Sequence, residues 1–89
     1  LILEHLQGGG DWEWAMRGLR DCPNVLLDTS GSVQESDAIG RCVRELGHQR
    51  ILFATDLTME GGVGKILSAE LTPTQREDIF WRNFQGILD

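Results

Sequence analysis

Three residues able to act as acids, bases or metal ligands stand where apolar runs end. His5 follows Leu1-Ile2-Leu3-Glu4, Asp28 follows Val25-Leu26-Leu27, and Asp56 follows Ile51-Leu52-Phe53-Ala54-Thr55. An imidazole and a carboxylate can move a proton between them, and both bind a divalent ion through bonds of about 2.0 to 2.2 Å. The runs are short, rich in Ile, Leu, Val and Phe, and do not alternate with polar residues. That pattern suits strands buried on both faces, as in parallel sheets. Reactive groups in such sheets collect at the carboxyl ends of the strands, where the loops to the following helices converge. Strands one and three of a set lie about 10 Å apart, two strand spacings. Inward-pointing His5 and Asp56 could therefore share a small centre such as a metal ion and its water.

Each candidate also has a structural reading. From position alone, His5 reads more readily as a histidine hydrogen-bonded inside a tight turn, although Gly8-Gly9-Gly10 would leave the strand end open to a ligand. Asp56 fits equally well as a loop cap, since a carboxylate leaving so apolar a strand must be paired, metal-bound or capped. Asp28-Thr29-Ser30-Gly31-Ser32 is read mainly as a cap for the next helix, because no glycine precedes Ser30 at nucleophile-elbow spacing. His48, in the polar turn Gly47-His48-Gln49-Arg50, is expected at the surface. Nucleotide motifs fail on spacing. Glu13 stands where a dinucleotide fingerprint needs glycine, and Met59 and Ile66 break the P-loop pattern around Gly64-Lys65.

The elements that must position these residues follow from periodicity. Strands are expected over 1–6, 24–28 and 50–55. A first helix runs from Asp11, an N-cap, to Arg20, with Trp12, Ala15, Met16 and Leu19 on one face. Trp14 departs from that face; ordinary packing is favoured over a place at a pocket rim or a subunit contact in a homo-oligomer. A second helix runs from Gln34 to Leu46 on a stripe of Ala38, Ile39, Cys42, Val43 and Leu46. Glu35 and Asp37 fall in its first turn and Gly47 in its C-cap. Residues 56–64 read as a glycine-bearing loop and 65–69 as a short helix. Thr72-Pro73-Thr74-Gln75 is a capping box opening a last helix, with Ile79, Phe80, Phe84, Ile87 and Leu88 on its apolar side and Asn83 as a backbone anchor. The order is β-α-β-α-β-α-α. Three parallel strands leave two unprotected edges, and a (β/α)8 barrel needs about 250 residues. The chain thus reads as about three of eight units, an impression strengthened by its apolar opening without a methionine.

Composition narrows the function. The chain has 89 residues, 14 acidic against 8 basic, for a net charge of −6. With scattered basic residues it makes a poor partner for nucleic acid or an anionic membrane. No apolar run approaches the roughly 18 residues of a membrane span. No signal peptide is evident, and the two cysteines, Cys22 and Cys42, have no metal-ligand spacing. They read as reduced, buried small hydrophobes in a cytoplasmic protein.

Together, Ile2-Leu3-Glu4-His5-Leu6-Gln7-Gly8-Gly9-Gly10, Pro23-Asn24-Val25-Leu26-Leu27-Asp28-Thr29-Ser30-Gly31, Leu46-Gly47, Arg50-Ile51-Leu52-Phe53-Ala54-Thr55-Asp56, Leu71-Thr72-Pro73 and Asn83-Phe84 resemble the carboxyl-terminal part of the amidohydrolase-related (amidohydrolase 2) family. Its members are metal-dependent (β/α)8 TIM barrels, including hydrolases and decarboxylases. The resemblance implies an α/β fold in which residues 1–89 supply strands six to eight of one barrel domain, with a C-terminal helix. It implies that His5 is the histidine after strand six, an acid/base partner of the metal-bound water in one-metal members and a metal ligand in two-metal members. Asp56 would be the metal-ligating aspartate after strand eight. The expected cofactor is a divalent ion, Zn2+ before others and one rather than two, acting on a small-molecule substrate. The leading activity is hydrolysis of a carbonyl-type substrate by metal-activated water. Non-oxidative decarboxylation at the same centre is the alternative, and a non-catalytic remnant of the barrel the third reading. Ala54 departs from the family's usual glycine, and Gln7 enlarges the turn after His5. The family's HxH pair and further ligands belong to earlier strands that this chain does not contain, so the segment alone is expected to be inactive.

Overall fold

A computed structural model of the chain describes residues 1–5, 12–31, 37–56 and 59–89. The glycine run 8–10, the Asp11 cap, Gln34, Glu35 and the side chains of Trp12 and Ala15 lie outside the described residues. The elements are β1 (Ile2–Leu3), α1 (Trp12–Gly18), β2 (Leu26–Asp28), α2 (Ala38–Leu46), a 3-10 turn (His48–Arg50), β3 (Ile51–Leu52), α3 (Met59–Leu67), α4 (Pro73–Glu77), a π-helical turn (Asp78–Arg82) and α5 (Asn83–Leu88). The three strands form one parallel sheet in the order β1-β2-β3, with Ile2 beside Leu26, Leu27 beside Ile51 and Asp28 beside Leu52. The expected βα alternation is present. Its strands are shorter than the apolar runs: β1 and β3 leave the ladder early at their carboxyl ends, while β2 begins two residues late, after a turn in which Val25 N–H donates to the Cys22 carbonyl.

Ile51 and Leu52 are both buried, so the most apolar strand is covered on both faces. Around the sheet Met16, Leu27, Ile39, Cys42, Ile66 and Ile79 close a core in which each is 0 to 2% exposed. Helix α2 buries Ala38, Ile39, Cys42 and Val43, as its periodicity demands, and Gly47 ends it at φ 91°, its N–H donating to the Val43 carbonyl at 2.8 Å. Its start is later than expected. Asp37 takes a left-handed conformation (φ 63°) ahead of the helix and turns its carboxylate to Arg44 at 2.7 Å. Arg50 holds the turn after α1 against the start of β3 by donating to the carbonyls of Leu19, Cys22 and Val25.

Four expectations need correction. Residues 59–64, placed in a glycine-bearing loop, are helical and join the expected short helix in α3. Each glycine costs about 1 kcal/mol in a helix, but Gly62 is required there because a Cβ would lie 2.5 Å from Thr55 Cγ2. Cys22 is exposed in the turn after α1, while Cys42 is buried and its thiol is pushed up to about 12 by that burial. His48 is not a surface residue. Its side chain is only 21% exposed and its Nε2 lies 2.9 Å from Asp78 Oδ2, because the Gly47 turn folds it against the π-helical turn. Lastly, Phe84, Ile87 and Leu88 are exposed. The π-helical turn directs Ile79 and Asn83 toward β3, which turns the following apolar residues away from the sheet.

The capping box is present, with Thr72 and Gln75 exchanging bonds of 3.1 and 2.9 Å and Pro73 at the first helical position. Asn83 is a backbone anchor, its Nδ2 donating to the His48 and Ile51 carbonyls at 2.6 and 2.8 Å. Phe53 N–H adds a bond to the Ile79 carbonyl, which occupies part of the β3 edge. Asn83→Ala leaves two carbonyls without their donor. Urea unfolding should show it less stable by about 1 to 3 kcal/mol with an unchanged m-value; a wild-type midpoint would contradict the anchoring role.

Candidate active site

At the carboxyl end of the sheet, the turn after β2 binds both neighbours. Asp28 Oδ1 accepts from Ser30 N at 3.0 Å, from Ser30 Oγ at 2.5 Å and from the backbone N of His5 at 3.3 Å. Asp28 is therefore structural, as expected, but it caps its own turn and the end of β1 rather than a helix. On the other side Thr29, fully buried, donates through Oγ1 to the Ala54 carbonyl at 3.2 Å and accepts from Ala54 N at 3.3 Å. Its N–H extends the ladder to the Leu52 carbonyl.

These bonds bring the ends of β1 and β3 together. His5 Nε2 lies 3.5 Å from Asp56 Oδ2, and the two side chains are 44% and 54% exposed. Both residues are in the left-handed region, His5 at φ 57° and Asp56 at φ 60°. Such a conformation costs a non-glycine residue of order 1 kcal/mol and is concentrated at functional sites. Gly31, at φ 85°, makes room for the imidazole: a Cβ there would lie 2.7 Å from His5 Cδ2 and 2.8 Å from Cγ. The ring thus rests directly on the Gly31 backbone.

The separation of His5 and Asp56 is long for a hydrogen bond. Two ligands of one tetrahedral ion with bonds of about 2.0 to 2.2 Å are about 3.3 to 3.6 Å apart, so the donor pair fits a shared ion. No group of three or more His, Cys, Asp or Glu able to hold a metal occurs among the described residues. His5 and Asp56 can supply two ligands and not a closed set.

The geometry also draws in residues that motif reading passed over. Lys65, considered only within a failed P-loop, donates from Nζ to the carbonyls of Thr29 at 2.7 Å and Gly31 at 3.1 Å. Burial lowers its pKa, with the nearby Asp28 carboxylate acting in the opposite direction. Gly62 lets the same helix approach Thr55, the residue before Asp56. The available signal was helical spacing: Gly62, Lys65, Ile66 and Ala69 fall at i, i+3, i+4 and i+7. Trp14 is 76% exposed, so the packing expected of it is not found, and neither it nor His48, paired with Asp78, has a place in this group.

Residues 1–83 match the Amidohydrolase family model (Amidohydro_2). The chain belongs to that family. No curated protein matches significantly. Among solved structures the chain is similar to a dihydroxybenzoic acid decarboxylase from Polaromonas sp. JS666, determined with bound manganese and the inhibitor 2-nitroresorcinol. The TM-score is 0.73 at 21% identity, over 97% of this chain and 32% of that one. The chain therefore has the α/β fold expected of it, three parallel strands with helices that match about a third of a TIM barrel, and spans about a third of its neighbour's length. No described helix is long and apolar enough to cross a membrane.

Gly31→Ala puts a methyl group into the His5 ring at a positive φ. Denaturant unfolding should register a loss of about 1 to 3 kcal/mol. Gly64→Ala, on α3 with nothing within 4 Å of its added Cβ, should be neutral or stabilising by up to about 1 kcal/mol. Equal effects at the two positions would contradict the packing of His5 on Gly31.

Proposed function

We propose that this chain forms the carboxyl-terminal three units of a metal-dependent (β/α)8 enzyme that removes CO2 without oxidation from an aromatic or unsaturated acid, with His5 and Asp56 at its metal centre. The carrying observation is the 3.5 Å approach of His5 Nε2 to Asp56 Oδ2 at the carboxyl rim of the sheet. The likeness to a manganese-containing dihydroxybenzoic acid decarboxylase favours decarboxylation over hydrolysis. A divalent ion bound there would polarise the substrate's oxygen atoms and stabilise negative charge developing during reaction. Mn2+ and Zn2+ both suit a donor set of imidazole and carboxylate.

The chain's own residues have separate tasks in this reading. Asp56 offers an anionic oxygen to the ion, and its left-handed backbone turns that oxygen toward His5. Decarboxylation breaks one carbon–carbon bond, leaves its electron pair on the substrate carbon and needs one proton there. His5 Nε2, left uncoordinated beside an ion that Asp56 would hold, is the group placed to deliver it. Gly31 keeps the ring in one orientation, and the Asp28 carboxylate holds the His5 backbone. Hydrolysis is the second reading, supported by the family's breadth, and would use the same pair to move protons between water and substrate.

The test uses the complete barrel supplied with Mn2+ and a dihydroxybenzoic acid, with CO2 release measured directly. Decarboxylation is expected. His5→Gln should lower kcat by about 10²- to 10⁴-fold, and Asp56→Ala should abolish turnover together with tight Mn2+ binding. Near-normal kcat in either variant would remove that residue from the mechanism. Hydrolysis of carbonyl substrates without CO2 release from the acid would favour the second reading.

A further inference from the structure

We propose that Lys65 is a positioning residue of this site, fixing the turn at 29–31 and through it the place of the His5 imidazole relative to Asp56. The inference rests on the functional reading above only for its catalytic consequence; the clamp itself is a matter of geometry.

The ammonium group donates to two neutral backbone carbonyls, Thr29 at 2.7 Å and Gly31 at 3.1 Å. Hydrogen bonds from a charged donor are stronger than those between neutral groups. Gly31 is the surface on which the imidazole lies, close enough that a Cβ would not fit between them. Moving the Gly31 backbone therefore moves the ring or its support. The turn is held elsewhere by short-range bonds within itself, by the Thr29 hydroxyl on Ala54, by the Thr29 N–H on the Leu52 carbonyl and by the His5 N–H on Asp28, none of which reaches the 29 and 31 carbonyls. Among the described residues, Lys65 alone reaches the turn's 29 and 31 carbonyls from a helix.

That helix also touches the other half of the site. Three residues before Lys65, Gly62 lets α3 press onto Thr55, which precedes Asp56 in the chain. One rigid element thus contacts the backbone that supports His5 and the backbone that leads to Asp56. A lysine serves well for this purpose, because its stem can lie along the helix face while the point-charge head reaches past it. An apolar side chain of similar length would fill the space without holding either carbonyl.

The complete barrel, loaded with diamagnetic Zn2+ for the spectra and with Mn2+ for the kinetics, and carrying isotope-labelled histidine, separates positioning from general stability. Ring signals of His5 are assigned by their loss in His5→Gln, and those of His48, in its separate pair with Asp78, by their loss in His48→Gln. Lys65→Met should shift the His5 signals while leaving those of His48 in place. Decarboxylation should fall about 10- to 100-fold in kcat with KM little changed, the size expected for a reacting group displaced through its support. Lys65→Leu, which has no donor, provides the same comparison should Lys65→Met fail to fold, and should shift His5 likewise. Unshifted His5 signals in a folded variant would overturn the proposal, as would equal shifts at His5 and His48. Normal kcat in His5→Gln would instead sink the catalytic role of His5 and leave the clamp to be judged by the signals alone.

Discussion

The turn that follows the central strand is the constraint on which the site depends. Strand β2 has β1 on one side and β3 on the other, and a parallel ladder fixes the heights of the three strands but not the directions in which their ends leave. Those directions are set by Asp28, which accepts the His5 N–H, and by Thr29, whose hydroxyl both donates to and accepts from Ala54. A buried hydroxyl without partners would be costly, so burial of Thr29 enforces the bond that holds the end of β3. The two candidate residues are thus brought together by polar contacts at the rim, while the apolar core beneath supplies the energy to hold the sheet.

This division explains why the left-handed backbones at His5 and Asp56 can persist. Their cost is local, whereas Met16, Leu27, Cys42, Ile51, Ile66 and Ile79 are buried throughout the body of the fold. The core also extends to the far end of the strands, where Asn83 joins the last helix to the carbonyls of His48 and Ile51. That end contains the His48 and Asp78 pair together with Arg82. It is chemically rich and yet structural, a reminder that an imidazole beside a carboxylate is not by itself a catalytic site. What distinguishes the His5 pair is its position at the carboxyl rim, its half-exposed groups and its separation suited to an intervening ion.

Much of this was legible before any coordinates. The buried stripe of α2, the capping box at Thr72 and the anchoring role of Asn83 follow from local pattern, which is strongest where spacing and chemistry agree. The approach of His5 and Asp56 was legible because strand-end position in a parallel fold is a topological fact. Helix α3 was not, since three glycines in Gly61-Gly62-Val63-Gly64 argue for a loop on propensity alone. The need for Gly62 arises only when Thr55 packs against it, a contact between segments that sequence spacing does not encode. Lys65 escaped for the same reason: its partners are backbone carbonyls 34 and 36 residues away. His48 was misread because a polar turn gave no sign of the π-helical turn that covers it.

The central claim is that His5 and Asp56 face one ion. Anomalous diffraction from manganese-grown crystals of the complete barrel addresses it directly. The account predicts a manganese peak with an Asp56 carboxylate oxygen among its ligands and the His5 imidazole turned toward it across the Gly31 backbone. A peak bonded to neither residue, or an imidazole swung away from Gly31 with the metal in place, would contradict it.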